Sequence, residues 1–159
     1  MVERFERFSL AISEISRCWH RIANEVMKQY GLKGAYSVYF TTMSRFPEGL
    51  TATQLVEICG RDKADVSRAM AAMEEKNLVC RKQNETRLYR AKLMLTEQGM
   101  ALAEQINERA KAAVESASRG LSDEKREIFY EALELITNNM QGMSRDGIPE
   151  AQAEEGVPV

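Results

Sequence analysis

Between Leu50 and Lys76 the chain carries two helix-start signals separated by a glycine turn, and no other stretch restricts the fold as much. Thr51 followed by Gln54 has the makeup of a capping box, in which each side chain takes up the other residue's free backbone donor. The helix it opens is predicted to end at Cys59-Gly60. Asp62 then starts a second helix at once, with Asp65 in its first turn. Val66, Ala69, Met70 and Met73 are spaced to form one buried face as far as about Lys76. Two short helices joined by a turn holding a glycine predict a helix-turn-helix.

The flanking segments supply the rest of a mainly α fold. Phe5, Phe8, Ile12, Ile15, Trp19, Ile22 and Val26 alternate spacings of three and four, a heptad seam on one long helix ending near Tyr30-Gly31. Lys33 to Phe46 reads as a second helix, with Ala35, Val38, Tyr39, Thr42 and Met43 on one side and Tyr36 and Phe40 on the other. A helix apolar on nearly all sides belongs in a core. Pro47-Glu48-Gly49 breaks the chain. Beyond the helix-turn-helix, Asn77 closes the second helix, and Leu78 to Lys82 and Leu88 to Leu95 read as the strands of a hairpin with a polar turn at Gln83 to Thr86. Tyr89, Ala91, Leu93 and Leu95 share one face of the second strand. Thr96 caps a helix over roughly 97–118, with Ala103, Ile106, Ala110, Ala113, Val114 and Ala117 inward. Ser122 opens a last helix carrying Ile128, Phe129, Ala132, Leu135, Ile136 and Met140. From Ser144 onward no periodicity remains, and disorder is expected.

Charge says what the helix-turn-helix is for. The chain carries a net charge of −2, but residues 61–92 hold nine bases and five acids, a net of +4, which leaves −6 for the rest. A basic island in an acidic protein is either the footprint of a polyanion site or a solvated surface that happens to be basic. Enzymatic activity is not expected. There is one histidine, His20, and neither a dinucleotide fingerprint nor a phosphate-loop string occurs, so no cofactor or metal is implied. At 159 residues the chain can bury about 70% of its unfolded surface without disulfide or metal staples. Three cysteines without a CxxC pair, and no long apolar run, point to the cytoplasm and away from membranes.

The second helix of a helix-turn-helix enters a major groove, where its first turns present side chains to base edges. Opposite the apolar face lie Ala64, Arg68, Ala71 and Glu75, flanked by Ser67 and Lys63. Small residues permit close approach, Ser67 can donate or accept, and Arg68 can reach a guanine edge or a phosphate. Arg61, Lys63 and the helix N-terminus suit phosphates. Asp65 caps its own helix or accepts from a cytosine amine. The hairpin adds Arg81, Lys82, Arg87, Arg90 and Lys92, which serve a narrow minor groove or protect an exposed strand edge.

With these residues in view, the sequence resembles the MarR-type winged helix-turn-helix regulators over about residues 5–141. The resemblance is carried by Leu50-Thr51-x-x-Gln54-Leu55, Asp62-Lys63-Ala64-Asp65-Val66-Ser67-Arg68, Met73 through Val79, Arg81, and Leu95-Thr96-Glu97-Gln98-Gly99. It implies a helical dimerisation region (1–32 and 97–141), a winged DNA-binding lobe (33–96) and a tail (142–159). It further implies a homodimer on a pseudo-palindromic double-stranded DNA operator, and repression relieved by a small aromatic acid or by thiol oxidation. Ala64, Ser67 and Arg68 match positions that contact bases or phosphates. The wing departs from the family pattern: Arg87-Leu88-Tyr89 stands where Asp-x-Arg is usual, and Glu85-Thr86-Arg87 offers that pair two residues early. Whether Arg87 or Arg90 reaches the groove is open.

Two sensor features complete the reading. Trp19, His20, Tyr36, Tyr39 and Phe40, with Tyr30 and the bases Arg17 and Arg21 nearby, either line an effector cleft or belong to the core. Cys18, between Arg17 and Trp19, is a redox sensor or an inert thiol. Cys59 and Cys80 read as packing residues, and Cys18 and His20 point 200° apart on one helix, against a shared metal. The rival function from another class is a winged-helix protein-interaction module that does not bind DNA.

Overall fold

The first helix forms as its periodicity predicts. In the computed structural model, which describes residues 2–82 and 91–148, α1 spans Val2–Lys28. Two compact units divide the chain, Met1–Val114 and Glu115–Val159.

In the first unit α1 is followed by a 3-10 turn, Gly34–Tyr36, and by α2, Ser37–Met43. The single helix expected from Lys33 to Phe46 is therefore shorter and enters through a tighter turn. The reason lies outside that segment. Asn24 Oδ1 accepts from the Gly34 N–H at 2.9 Å, and a Cβ at Gly34 would stand 2.1 Å from that oxygen, so the chain is drawn against α1 where only glycine fits. As a result Tyr36 is buried and Ala35, expected inward, is exposed.

The helix-turn-helix follows the local signals. α3 spans Ala52–Cys59 behind a complete Thr51/Gln54 capping box and ends at Gly60 in the left-handed conformation (φ 59°). α4 spans Lys63–Glu75, with Asp62 Oδ1 accepting from the Asp65 N–H at 2.8 Å. The buried residues of α4 are Val66, Ala69, Met70 and Met73, the four expected. They join Tyr39, Phe40, Leu55, Leu93 and Leu102 in one core that also takes Val26 and Met27 of α1. This core takes residues from both sides of positions 32/33 and 96/97, with Val26 and Met27 before the lobe and Leu102, Ala103 and Ile106 after it.

β1, Val79–Lys82, pairs antiparallel with β2, Lys92–Leu95, in the register Val79↔Leu95 through Lys82↔Lys92. Leu50 adds a bridge to β2, exchanging bonds with Leu93 at 3.0 and 2.8 Å. In β1 Val79 is buried and Cys80 is exposed, which corrects the packing role expected of that cysteine. The turn residues 83–86 and the expected start of the second strand lie outside the described residues.

α5, Glu97–Ala117, starts against the hairpin: Thr96 Oγ1 donates to the Asn77 carbonyl at 2.7 Å and accepts from the Gly99 N–H at 3.1 Å. Its burial is concentrated in the first three turns. Gly99, Leu102, Ala103 and Ile106 are buried, whereas Val114 and Ala117, expected inward, are exposed.

In the second unit α6 spans Asp123–Asp146 and is capped by Ser122, whose oxygen accepts from the Lys125 N–H at 3.4 Å. The helix continues past Gly142, so 142–146, expected in the tail, are helical; 149–159 lie outside the described residues. None of its residues is buried.

Candidate nucleic-acid interface

The exposed side of α4 displays Lys63, Ala64, Ser67, Arg68, Ala71 and Glu75, and Arg61 stands exposed in the turn before it. Burying Val66, Ala69, Met70 and Met73 forces this outcome, since residues half a turn away must face outward. The face combines two small residues, one hydroxyl, two cations and one acid, Glu75 in its last turn, with the cations toward a helix N-terminus whose dipole favours phosphate.

Three polar contacts hold α4 in place. At its start, Asp62 caps the first turn. In that turn, Tyr39 Oη donates to Asp65 Oδ2 at 2.7 Å, joining α2 to α4, and the other oxygen, Oδ1, lies 3.7 Å from an Arg68 terminal nitrogen. Burial first, and then the bond to Asp65, push the Tyr39 phenol well above its ordinary range. Asp65 thus joins two elements instead of capping its own helix: Oδ2 accepts from Tyr39, and Oδ1 faces Arg68. Near its end, Glu74 takes Arg81 in a two-bond pair, Nε to Oε1 at 2.5 Å and a terminal nitrogen to Oε2 at 3.1 Å. Arg81, expected at the nucleic acid, therefore ties β1 to α4. Nothing local announced either contact: the partners sit 26 and 7 residues apart.

On the wing, Lys82 is exposed and directly opposite Lys92 in the strand register. Facing cations destabilise a strand pair unless an anion lies over them. Arg87 and Arg90 lie outside the described residues.

The aromatic set does not gather in one cleft. Tyr36, Tyr39 and Phe40 are core, with the two tyrosine rings tilted at 55° and 6.1 Å apart. Trp19 lines a cleft of about 170 Å³ with Ile22, Val26, Val38, Ile106 and Arg109. His20 is exposed, and its Nδ1 lies 2.7 Å from the Ser16 carbonyl.

Cys18 is exposed, and the group beside its thiol is a carboxylate: Sγ donates to Glu14 Oε1 at 3.5 Å. Arg17 pairs with the same Glu14, and together these donors hold that carboxyl below its usual range. Glu14 thus stands between the Cys18 thiol and the Arg17 guanidinium. Cys59, half-buried at the end of α3, lies 3.5 Å from Thr42 Oγ1. Among the described residues no three metal-ligating side chains come together, and no helix is long and apolar enough to cross a membrane.

Neither a family profile nor a curated protein matches the sequence. Solved structures do. A MarR family transcriptional regulator from Listeria monocytogenes complexed with 26mer DNA superimposes with a TM-score of 0.76 at 23% identity, over 89% of this chain and 95% of that one. A MarR transcriptional regulator from Methanosarcina mazei gives 0.75 at 21% identity, over 87% and 92%. MepR of S. aureus, in a DNA complex, gives 0.73 at 20%, over 83% and 97%. With its helix-turn-helix, its hairpin and its long flanking helices in this order, the chain has the winged-helix fold of the MarR-family transcriptional regulators.

Proposed function

We propose that this chain is a DNA-binding transcriptional regulator of the MarR type, not an enzyme, that works as a homodimer on a pseudo-palindromic operator. The observation that carries this reading is the exposed face of α4. Arg61, Lys63, Ala64, Ser67 and Arg68 stand clear at a helix N-terminus while the opposite face is sunk in the core. Arg68 and Ser67 read base edges; Arg61 and Lys63 hold phosphates. Lys82 and Lys92 of the wing follow the adjoining backbone, and Arg87 or Arg90 is the candidate for the minor groove.

Dimerisation is supported by the seam on α1. Phe8, Ile12, Ile15 and Trp19 recur at heptad spacing and are all exposed, a stripe suited to a second copy. A two-fold dimer presents its lobes to half-sites about one helical turn apart. We assign repression as the mode of action, relieved by a small aromatic acid. The Trp19 cleft is on the order of the ~150 Å³ cavity that takes one benzene ring, and Arg109 at its wall suits a carboxylate. Thiol oxidation at Cys18 is the weaker trigger, given its acidic neighbour.

The deciding experiment is selection from a random duplex library, followed by titration of the enriched site across salt concentrations. An enriched palindromic site is expected, with log affinity falling by about 0.9 per tenfold rise in salt for each phosphate neutralised. No enrichment, with the same weak binding to every duplex, would favour the protein-interaction module.

A further inference from the structure

The Asp65 carboxylate stands between a buried donor and an exposed cation. Tyr39 Oη, 2.7 Å from Oδ2, belongs to a fully buried side chain in the centre of the core and is a fixed point. Arg68, 3.7 Å from Oδ1, is largely exposed on the reading face of α4. An acid in this first turn has another use open to it, folding back onto the free amides of its own helix. Here Asp62 already caps the Asp65 N–H, and Tyr39 turns the carboxylate toward Arg68.

That orientation matters because an arginine has two ways to meet DNA. As a phosphate ligand it needs only reach and charge. As a base reader it must present its planar fork edge-on to guanine O6 and N7, which depends on the direction from which it approaches. A carboxylate beside DNA also repels phosphates, so its presence on this face calls for a return in selectivity.

We propose that Tyr39 is a positioning residue for base reading: through Asp65 it sets the direction of the Arg68 fork and thereby the base preference at the Arg68 contact. This rests on the DNA-binding reading above. Tyr39 and Asp65 act in series, so removing either should blur selectivity while leaving the electrostatic attraction to DNA in place.

The test compares wild type, Tyr39→Phe, Asp65→Asn and the double variant. Each is titrated on the selected duplex, on duplexes with single base pairs exchanged in the half-site, and on a random duplex. Tyr39→Phe keeps the ring and deletes the hydroxyl. In both single variants the preference at one position per half-site should narrow by about tenfold. Random-duplex affinity should stay within about twofold or rise for Asp65→Asn. The double variant should narrow no further than Asp65→Asn alone. Should Tyr39→Phe fail to fold, Asp65→Asn against Arg68→Ala carries the test, since both must lose preference at the same position. A folded Tyr39→Phe with wild-type preference, or additive losses in the double variant, overturns the proposal. Failure of the wild type itself to prefer any duplex would instead overturn the DNA-binding reading.

Discussion

The phenol of Tyr39 and the carboxylate of Asp65, 26 residues apart in the chain, meet at 2.7 Å and lock α2 to the first turn of α4. The donor is buried and the acceptor is charged, a combination worth more than an ordinary hydrogen bond. Tyr39→Phe is expected to lower stability by about 1 to 3 kcal/mol at neutral pH. The pH dependence follows from the raised phenol. Below its ordinary value of about 10 both folded and unfolded chains keep the proton, and the full contribution is present. Above that value the unfolded chain ionises first, so the contribution declines and disappears only past the raised folded value. Denaturant titrations of both proteins from about pH 7 to 11 check this; a difference that grows with pH would contradict it.

Gly99 and Gly142 are both helical but have opposite surroundings. A Cβ at Gly99 would lie 2.0 Å from the Leu78 carbonyl, whereas one at Gly142 meets nothing within 4 Å. Gly99→Ala should cost about 3 kcal/mol or more, because backbone on both sides resists displacement. Gly142→Ala should stabilise by about 0.5 to 1 kcal/mol through helix propensity alone. Thermal melts of the two variants should move in opposite directions.

Of the cations expected at DNA, Lys63 is free to act there and Arg81 is committed to Glu74. Lys63→Ala should reduce the slope of log affinity against log salt by about 1. Arg81→Ala should leave that slope near wild type and cost about 0.2 to 1 kcal/mol of stability, the range for a partly exposed pair. Fluorescence anisotropy across a salt series separates the two; equal slopes for both variants would mean Arg81 leaves Glu74 to bind phosphate.

Ile15 is 60% exposed in the middle of the α1 stripe. If that stripe seats a second copy, Ile15→Glu removes an apolar contact from each subunit, about 1.5 to 3 kcal/mol apiece, and weakens association a hundredfold or more. Sedimentation should show monomer at concentrations where wild type is dimeric. An unchanged sedimentation profile would place any self-association elsewhere.

Local rules made most of the helix-turn-helix legible. A cap and its partner are three residues apart, and a buried face repeats with the helical pitch, so Thr51, Gln54, Asp62 and the four buried residues of α4 follow from spacing. The same argument misplaced Ala35, Cys80 and Val114. Each sits in a segment whose burial depends on a neighbour distant in sequence: Asn24 against Gly34, the pairing of Val79 with Leu95, and a core that covers only the beginning of α5.

The amino-acid order alone determined where most of the helices lie, where the turn of the helix-turn-helix falls, and that basic charge collects around it, because propensity, capping and pitch act within a few residues. Only the tertiary structure decided what individual side chains do. It sent Tyr39 to Asp65 and Arg81 to Glu74, set Arg68 beside the Asp65 carboxylate and left Lys63 exposed, because hydrogen bonds and ion pairs form between whatever groups the packed core brings within reach.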